Sequence, residues 1–346
     1  MADMLQIKKV EKAFYADDGA NRGPLTMARV RFHPREAKLL AQTADRRLAL
    51  FDLNSPADKK GKGGTQYVPC SWVCPHEIGW VRGLAIHPAG TAVATGGSDR
   101  SLRIWAWQEG QPGEKPAQQA AAHEGWVESV AYSPDGGQLA TCGSDGLVKI
   151  WRAGDLKLVH TLVGHKHAVF DALFVKSGEQ LVSGGEDGLC KVWDVARGEL
   201  VRELSFGYAN DQFGQNPRHS GVHRLSLSHD ERWLAVAGGE QVDVFDFAGG
   251  KLLASDKPGM EAAFHTQRTL LGLGENELKL WQYDEAALAK ASESQADKNN
   301  KPKGIPGKLV TTIKRGDYSL GVDYSADGRQ LAIGKSDGNV ELYELS

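Results

Sequence analysis

HEIGWVRGLAIHPAGTAVATGGSDRSLRIW (76–105), HEGWVESVAYSPDGGQLATCGSDGLVKIW (123–151) and HKHAVFDALFVKSGEQLVSGGEDGLCKVWD (165–194) are three versions of one unit. Each opens on a His and runs through an alternating apolar stretch, a turn and a second short strand. An Asp-containing tight turn and a third strand ending in Trp follow. Apolar residues at every second position mark strands with one side turned inward. Pro134-Asp135-Gly136, Asp145-Gly146 and Asp187-Gly188 are hairpin signals, because these residues tolerate the dihedrals of tight turns. Short strands between regular turns, with no helical period of useful length among them, predict an all-β array.

Four weaker copies extend the pattern, and such internal repetition decides an architecture before any local reading does. Residues 26–53 carry Ala44-Asp45-Arg46 and Phe51-Asp52; residues 219–247 end Val244-Phe245-Asp246. Residues 260–283 end Leu280-Trp281, and residues 316–345 carry Asp327-Gly328, Asp337-Gly338 and Tyr343. The turn acid precedes the closing aromatic by six residues in the pairs Asp45/Phe51, Asp99/Trp105, Asp145/Trp151, Asp187/Trp193, Glu275/Trp281 and Asp337/Tyr343. Only the fifth copy lacks the acid, with Gly239 in its place.

From residue 26 to the C-terminus the sequence resembles the WD-40 repeat family. In that family each unit of ~40–45 residues is a four-stranded blade, and the blades ring a central channel. The resemblance therefore implies one all-β domain over 1–346, a seven-bladed β-propeller of four-stranded antiparallel blades. The blades fall at approximately 26–75, 76–122, 123–164, 165–218, 219–258, 259–315 and 316–346. The last copy ends with its third strand, so Leu5–Phe14, within 1–15, is expected to supply the outer strand and close the ring. Closure would remove an exposed sheet edge.

Apolar residues make up 41% of the 346 and charged residues 25%, enough for a packed core. The net charge of −3, from 41 basic and 44 acidic residues, argues against a nucleic-acid binder, whose footprint is a basic excess. Residues 1–15 lack the apolar core of a signal peptide, no window approaches the ~20 apolar residues of a membrane span, and no Asn-x-Ser/Thr acceptor occurs. A soluble, cytoplasmic protein, monomeric by itself and off the membrane, is expected. Cys70, Cys74, Cys142 and Cys190 show neither zinc-ligand spacing nor a disulfide framework. Cys70-Ser-Trp-Val-Cys74-Pro-His76 has the wrong spacing for haem attachment, and Gly328–Ser336 is one residue too long for a phosphate loop. His165 and His167 lie two apart with no carboxylates shown to converge on them. Neither a metal nor a cofactor is expected.

Three copies repeat one polar set: His76, Thr95, Asp99 and Trp105; His123, Thr141, Asp145 and Trp151; His165, Ser183, Asp187 and Trp193. Out of context, hydroxyl, imidazole and carboxylate suggest a nucleophilic triad. An enzyme needs one triad, not three regular copies. The family resemblance implies instead that each tetrad hydrogen-bonds within its blade, tying the loop before the first strand to the second and third strands. Buried polar groups must be paired, and an intact set stiffens the blade. No Gly-x-Ser-x-Gly or other catalytic signature is present, so no enzyme is expected.

Aligning the first strands puts Trp80, Trp126 and Tyr318 at one position, with Ala168 and Gly221 there in two other copies. Two residues on come Arg82, Glu128, Phe170, His223 and Leu320. The resemblance places both sets around the top mouth of the channel. Trp, Tyr and Arg are the residues most enriched in binding hot spots, and Arg82 is expected to fork onto a partner's carboxylate. The segment 207–219 adds Tyr208 and Phe213 among polar residues, the composition of a contact loop. These residues predict a scaffold that binds a protein or peptide segment over blades 2–5. The rival reading is a propeller enzyme, or a small-molecule or metal binder, using the channel. It requires acids or imidazoles converging on the axis, for which Glu128 and His223 are the candidates at the aligned positions. The insertions 54–65, 108–118 and 284–307 are polar and expected to be mobile, solvated loops.

Overall fold

Each repeat folds into an antiparallel sheet of its own, and the tight-turn residues sit between its neighbouring strands. The computed structural model describes residues 7–15, 27–43, 48–56, 59–60, 66–70, 72–73, 80–206, 221–238, 241–256, 261–267, 270–274, 277–294, 304–314, 321–335 and 339–346. They form seven sheets. Blade 3 shows the plan: Val127–Tyr132, Gln138–Gly143, Leu147–Arg152 and Lys157–Val163 pair in sequence order. The first strands of the seven blades are Met27–Phe32, Val81–Ile86, Val127–Tyr132, Val169–Phe174, Arg224–Leu227, Glu261–Phe264 and Gly321–Tyr324. The turn glycines Gly146 and Gly188 adopt φ of 80° and 72°, and in blade 2 Arg100 is forced to 67° at the same place.

The core is divided among the junctions between blades. Among the described residues seven apolar clusters form, each drawing on two adjacent blades, and one of them joins blade 7 to blade 1. A sheet covered on both faces cannot keep a polar side. The second strands accordingly depart from the expected one-sided burial: Trp233–Gly238 is buried at every position, and Ala92–Gly97 at all but its first. Burial on both faces selects continuous apolar and small residues over alternation.

The strand Ile7–Tyr15 pairs antiparallel with Asn339–Leu345 and supplies the fourth strand of blade 7. Its other edge pairs in parallel with Gln66–Pro69, which in turn pairs with Lys59–Lys60. The insertion 54–65, expected to be a mobile loop, thus begins a two-stranded extension by which blade 1 clasps blade 7. Parts of two more expected loops are also structured. Residues 108–118 begin with a short hairpin, Gln108 opposite Gln111. Residues 284–307 contain a helix, Glu285–Glu293, capped by the Asp284 carboxylate, which accepts the Ala287 N–H at 3.1 Å. Leu288 buries the helix in the cluster between blades 5 and 6.

Histidines make a further set of links. His33 and His265 place Nε2 at 3.0 and 2.8 Å from the carbonyls of Gly90 and Gly328, turn residues of the next blade. These glycines have φ of 70° and 67°, and a Cβ on either would meet the facing imidazole at 2.5 Å. Glycine is required there twice over, by backbone conformation and by close approach.

Candidate functional site

In blade 3 the Trp151 indole donates to Thr141 Oγ1 at 2.9 Å, Thr141 Oγ1 lies 2.8 Å from His123 Nε2, and His123 Nδ1 lies 3.0 Å from Asp145 Oδ1. One proton arrangement satisfies every group. The indole donates to the hydroxyl, the hydroxyl to Nε2, and Nδ1–H to the carboxylate, so the ring is neutral. Asp145 also accepts the backbone N–H groups of Glu124 and Leu147, at 3.0 and 3.1 Å. Burial pulls the His123 imidazole below its usual range. Burial works to raise the Asp145 carboxyl, but His123 and the two N–H donors outweigh it and hold it low. Blade 4 repeats the geometry: Trp193 to Ser183 at 2.8 Å, Ser183 to His165 at 2.9 Å and His165 to Asp187 at 3.0 Å. In blade 2 Trp105 donates to Thr95 at 2.9 Å, while Asp99 accepts from Arg103 and from the Ser101 N–H. His76 lies outside the described residues, as do Asp45, Glu275 and Asp337. Each tetrad hydroxyl accepts from an indole and, in blades 3 and 4, also bonds an imidazole.

The face that carries the loops leading into the first strands, the top, is organised by a second repeated device. Trp80 N–H donates to Ser98 Oγ at 2.7 Å, and its carbonyl accepts from Ser98 N–H at 2.8 Å. Trp126 and Ser144 repeat both bonds at 2.8 and 2.9 Å. These bonds pin the backbone to the tight-turn loop. Trp80 is 50% exposed and Trp126 48%. Arg82 Nε donates to Glu128 Oε2 at 2.6 Å, and its guanidinium lies 4.7 Å above the Trp126 ring. Arg82 thus has a carboxylate of the neighbouring blade on its Nε. Burial, against the pull of Arg82, pushes the Glu128 carboxyl above its usual range. Phe170 and His223 stack at 5.0 Å and 11°, so they too form a pair across two blades. Tyr208, Phe213 and Tyr318 lie outside the described residues.

The axis is more charged than the aligned positions suggest. Arg29, Arg31, Asp171, Arg224, Glu261 and Asp323 all project from first strands into one cavity. Asp171 accepts the Leu225 N–H at 3.1 Å, and Asp323 the Phe32 N–H at 2.8 Å, each across a blade junction. Ser226 accepts Phe264 N–H in the same manner, at 2.9 Å. The signal in the sequence was a charged residue inside each of these inner strands, which period-two reasoning assigns to solvent. Among the described residues no group of three or more His, Cys, Asp and Glu side chains is placed to hold a metal ion. No described helix is long and apolar enough to cross a membrane.

Residues 69–106, 114–152 and 156–194 match the WD40 family, described as WD domain, G-beta repeat. The matched unit is out of phase with the blade. Residues 114–152, for example, begin with the outer strand of blade 2 and end with the third strand of blade 3. Each sequence repeat thereby spans a blade junction. Among curated proteins none matches the chain. With seven sheets built on one plan, three of which carry the matched repeats, the chain is a seven-bladed β-propeller that contains WD40 repeats.

Proposed function

We propose that the chain is a non-catalytic cytoplasmic scaffold that takes a protein or peptide segment on its top face, over blades 2–5. The observation that carries this reading is the pair of half-exposed indoles, Trp80 and Trp126, at equivalent positions of adjacent blades. Their backbones are fixed by the bonds to Ser98 and Ser144, so anchoring a partner costs little ordering. Large aromatic side chains bury much area for few rotatable bonds. Arg82 and Glu128 neutralise one another beneath Trp126 and form a floor that is polar but not net charged. The non-catalytic part of the reading rests on the tetrads, whose hydroxyl, imidazole and carboxylate groups are engaged within their blades. The free thiols Cys142 and Cys190 suit a reducing compartment.

The double variant Trp80→Ala, Trp126→Ala tests the reading. It is expected to fold normally and to lose the partners that the wild-type chain captures from its source cells, each indole contributing about 2 kcal/mol to binding. Early melting of the variant would identify the rings as inter-blade packing. Normal folding with undiminished capture would place the binding surface elsewhere.

A further inference from the structure

The cavity on the axis has a volume of about 160 Å³. It is lined from the first strands of blades 1, 4, 5, 6 and 7, so ring closure alone creates it. Arg29 is only 6% exposed. Its guanidinium reaches Ser129 Oγ at 3.5 Å and Asp171 Oδ1 at 3.6 Å. A guanidinium has five N–H donors, and among the described residues these two distant contacts are the partners of Arg29. Asp171 cannot come closer without giving up its other bonds, since it accepts from Ser129 Oγ at 2.9 Å and from Leu225 N–H. Two more arginines line the cavity, each with a carboxylate beyond close hydrogen-bond range, Arg224 to Glu261 at 3.4 Å and Arg31 to Asp323 at 3.9 Å, and each also donating to a backbone carbonyl, Arg224 to His223 at 3.1 Å and Arg31 to Val30 at 2.9 Å. A charge-assisted bond closes to about 2.7–2.9 Å. Burial, then the neighbouring charge of Arg224, pull the Arg29 guanidinium down to about 9 against the opposing pull of Asp171 and Glu261.

We infer that this cavity binds a small oxyanion, a carboxylate or a phosphate, held by Arg29 with Arg31 and Arg224. The site is separate from the top-face indoles and goes beyond the scaffold reading. Its volume exceeds the about 30 Å³ share of one water and falls short of the roughly 300–1,000 Å³ of drug-sized pockets. It therefore suits a compact anion rather than a nucleotide. The carboxylates of Asp171, Glu261 and Asp323 set a limit on the charge it accepts, and favour a singly or doubly charged anion over a polyanion.

The test is a calorimetric titration of the full chain with inorganic phosphate and, separately, with succinate, at constant ionic strength set with chloride. Saturable binding of one of the two at a single site is expected, and which one binds distinguishes phosphate from carboxylate. Arg29→Met should weaken it by at least about tenfold, equivalent to 1.4 kcal/mol. Arg31→Gln, at a part-exposed position, should weaken it in the same direction and carries the test if Arg29→Met does not fold. Trp80→Ala, Trp126→Ala should leave it unchanged. Absence of saturable binding by both anions through the millimolar range overturns the proposal, as does binding that survives the arginine substitutions at full strength.

Discussion

Thr141 and Ser183 each accept one N–H and donate one O–H, so a single hydroxyl ties an indole to an imidazole in each blade. Removing the acid at the end of this chain leaves the imidazole N–H and two backbone N–H groups to find new partners. Asp145→Ala and Asp187→Ala should each destabilise by ~1–3 kcal/mol, the cost of leaving buried polar groups unsatisfied. Asp99→Ala should fall in the same range by another route, since it strips the counter-charge from the buried Arg103. Denaturant midpoints measure all three, and a large effect at one position alone would sink the account. The same tetrad predicts a pH dependence. With the His123 ring held below its ordinary 6.5 by burial, the unfolded chain binds the proton first as the pH drops. Stability is then complete above about 6.5 and declines below it until the folded ring titrates. Asp145, held below 3.8, adds its loss only at more acid pH. His123→Asn should flatten the decline in denaturant midpoint between neutral and mildly acid pH. An unchanged slope would assign it to other groups.

At the scale of elements, local signals were legible where a strand or turn carries its own chemistry. The Asp-Gly turns and the closing aromatic of each repeat could be placed from spacing alone. The helix Glu285–Glu293 could not, because its one buried anchor, Leu288, sits among polar and small residues that read as a solvated loop. It is held from outside: Ser292 Oγ donates to Asp246 Oδ2 at 2.6 Å, and Lys251 reaches the helix carbonyls. The closing strand was legible because the last repeat lacks a fourth strand of its own. Deleting residues 1–15 should expose the edge of Asn339–Leu345, remove the Lys9–Glu341 ion pair at 2.7 Å, and strip Ile7 and Val10 from two blade junctions. Unpaired edges recruit other chains, so the truncated protein should self-associate or melt well below the full chain. A truncation that remains monomeric with unchanged melting would show that closure does not depend on this strand.

At the scale of the whole molecule, the ring itself was readable as a count of repeats, but what the ring encloses was not. Arg29 and Asp171 are 142 positions apart, and nothing local says that they face each other at 3.6 Å. An arginine two residues into a strand reads as solvent-facing until seven blades close around it. The Arg82–Glu128 bond was hidden for a related reason: equal register on adjacent blades was legible, whereas contact at 2.6 Å depends on the distance between blades.

Ring closure also has an order in time. Ala13 pairs with Tyr67, 54 residues away, and with Glu341, 328 residues away. Loop-closure entropy grows as (3/2)RT ln n, so the nearer pairing costs about 1.6 kcal/mol less to form. A chain emerging from synthesis N-terminus first can therefore dock its opening strand against Gln66–Pro69 before the seventh blade exists. The clasp works as a holdfast: it keeps the strand made first within reach of the strand made last, and it occupies one open edge during the interval when the unfinished ring has the most edges to offer.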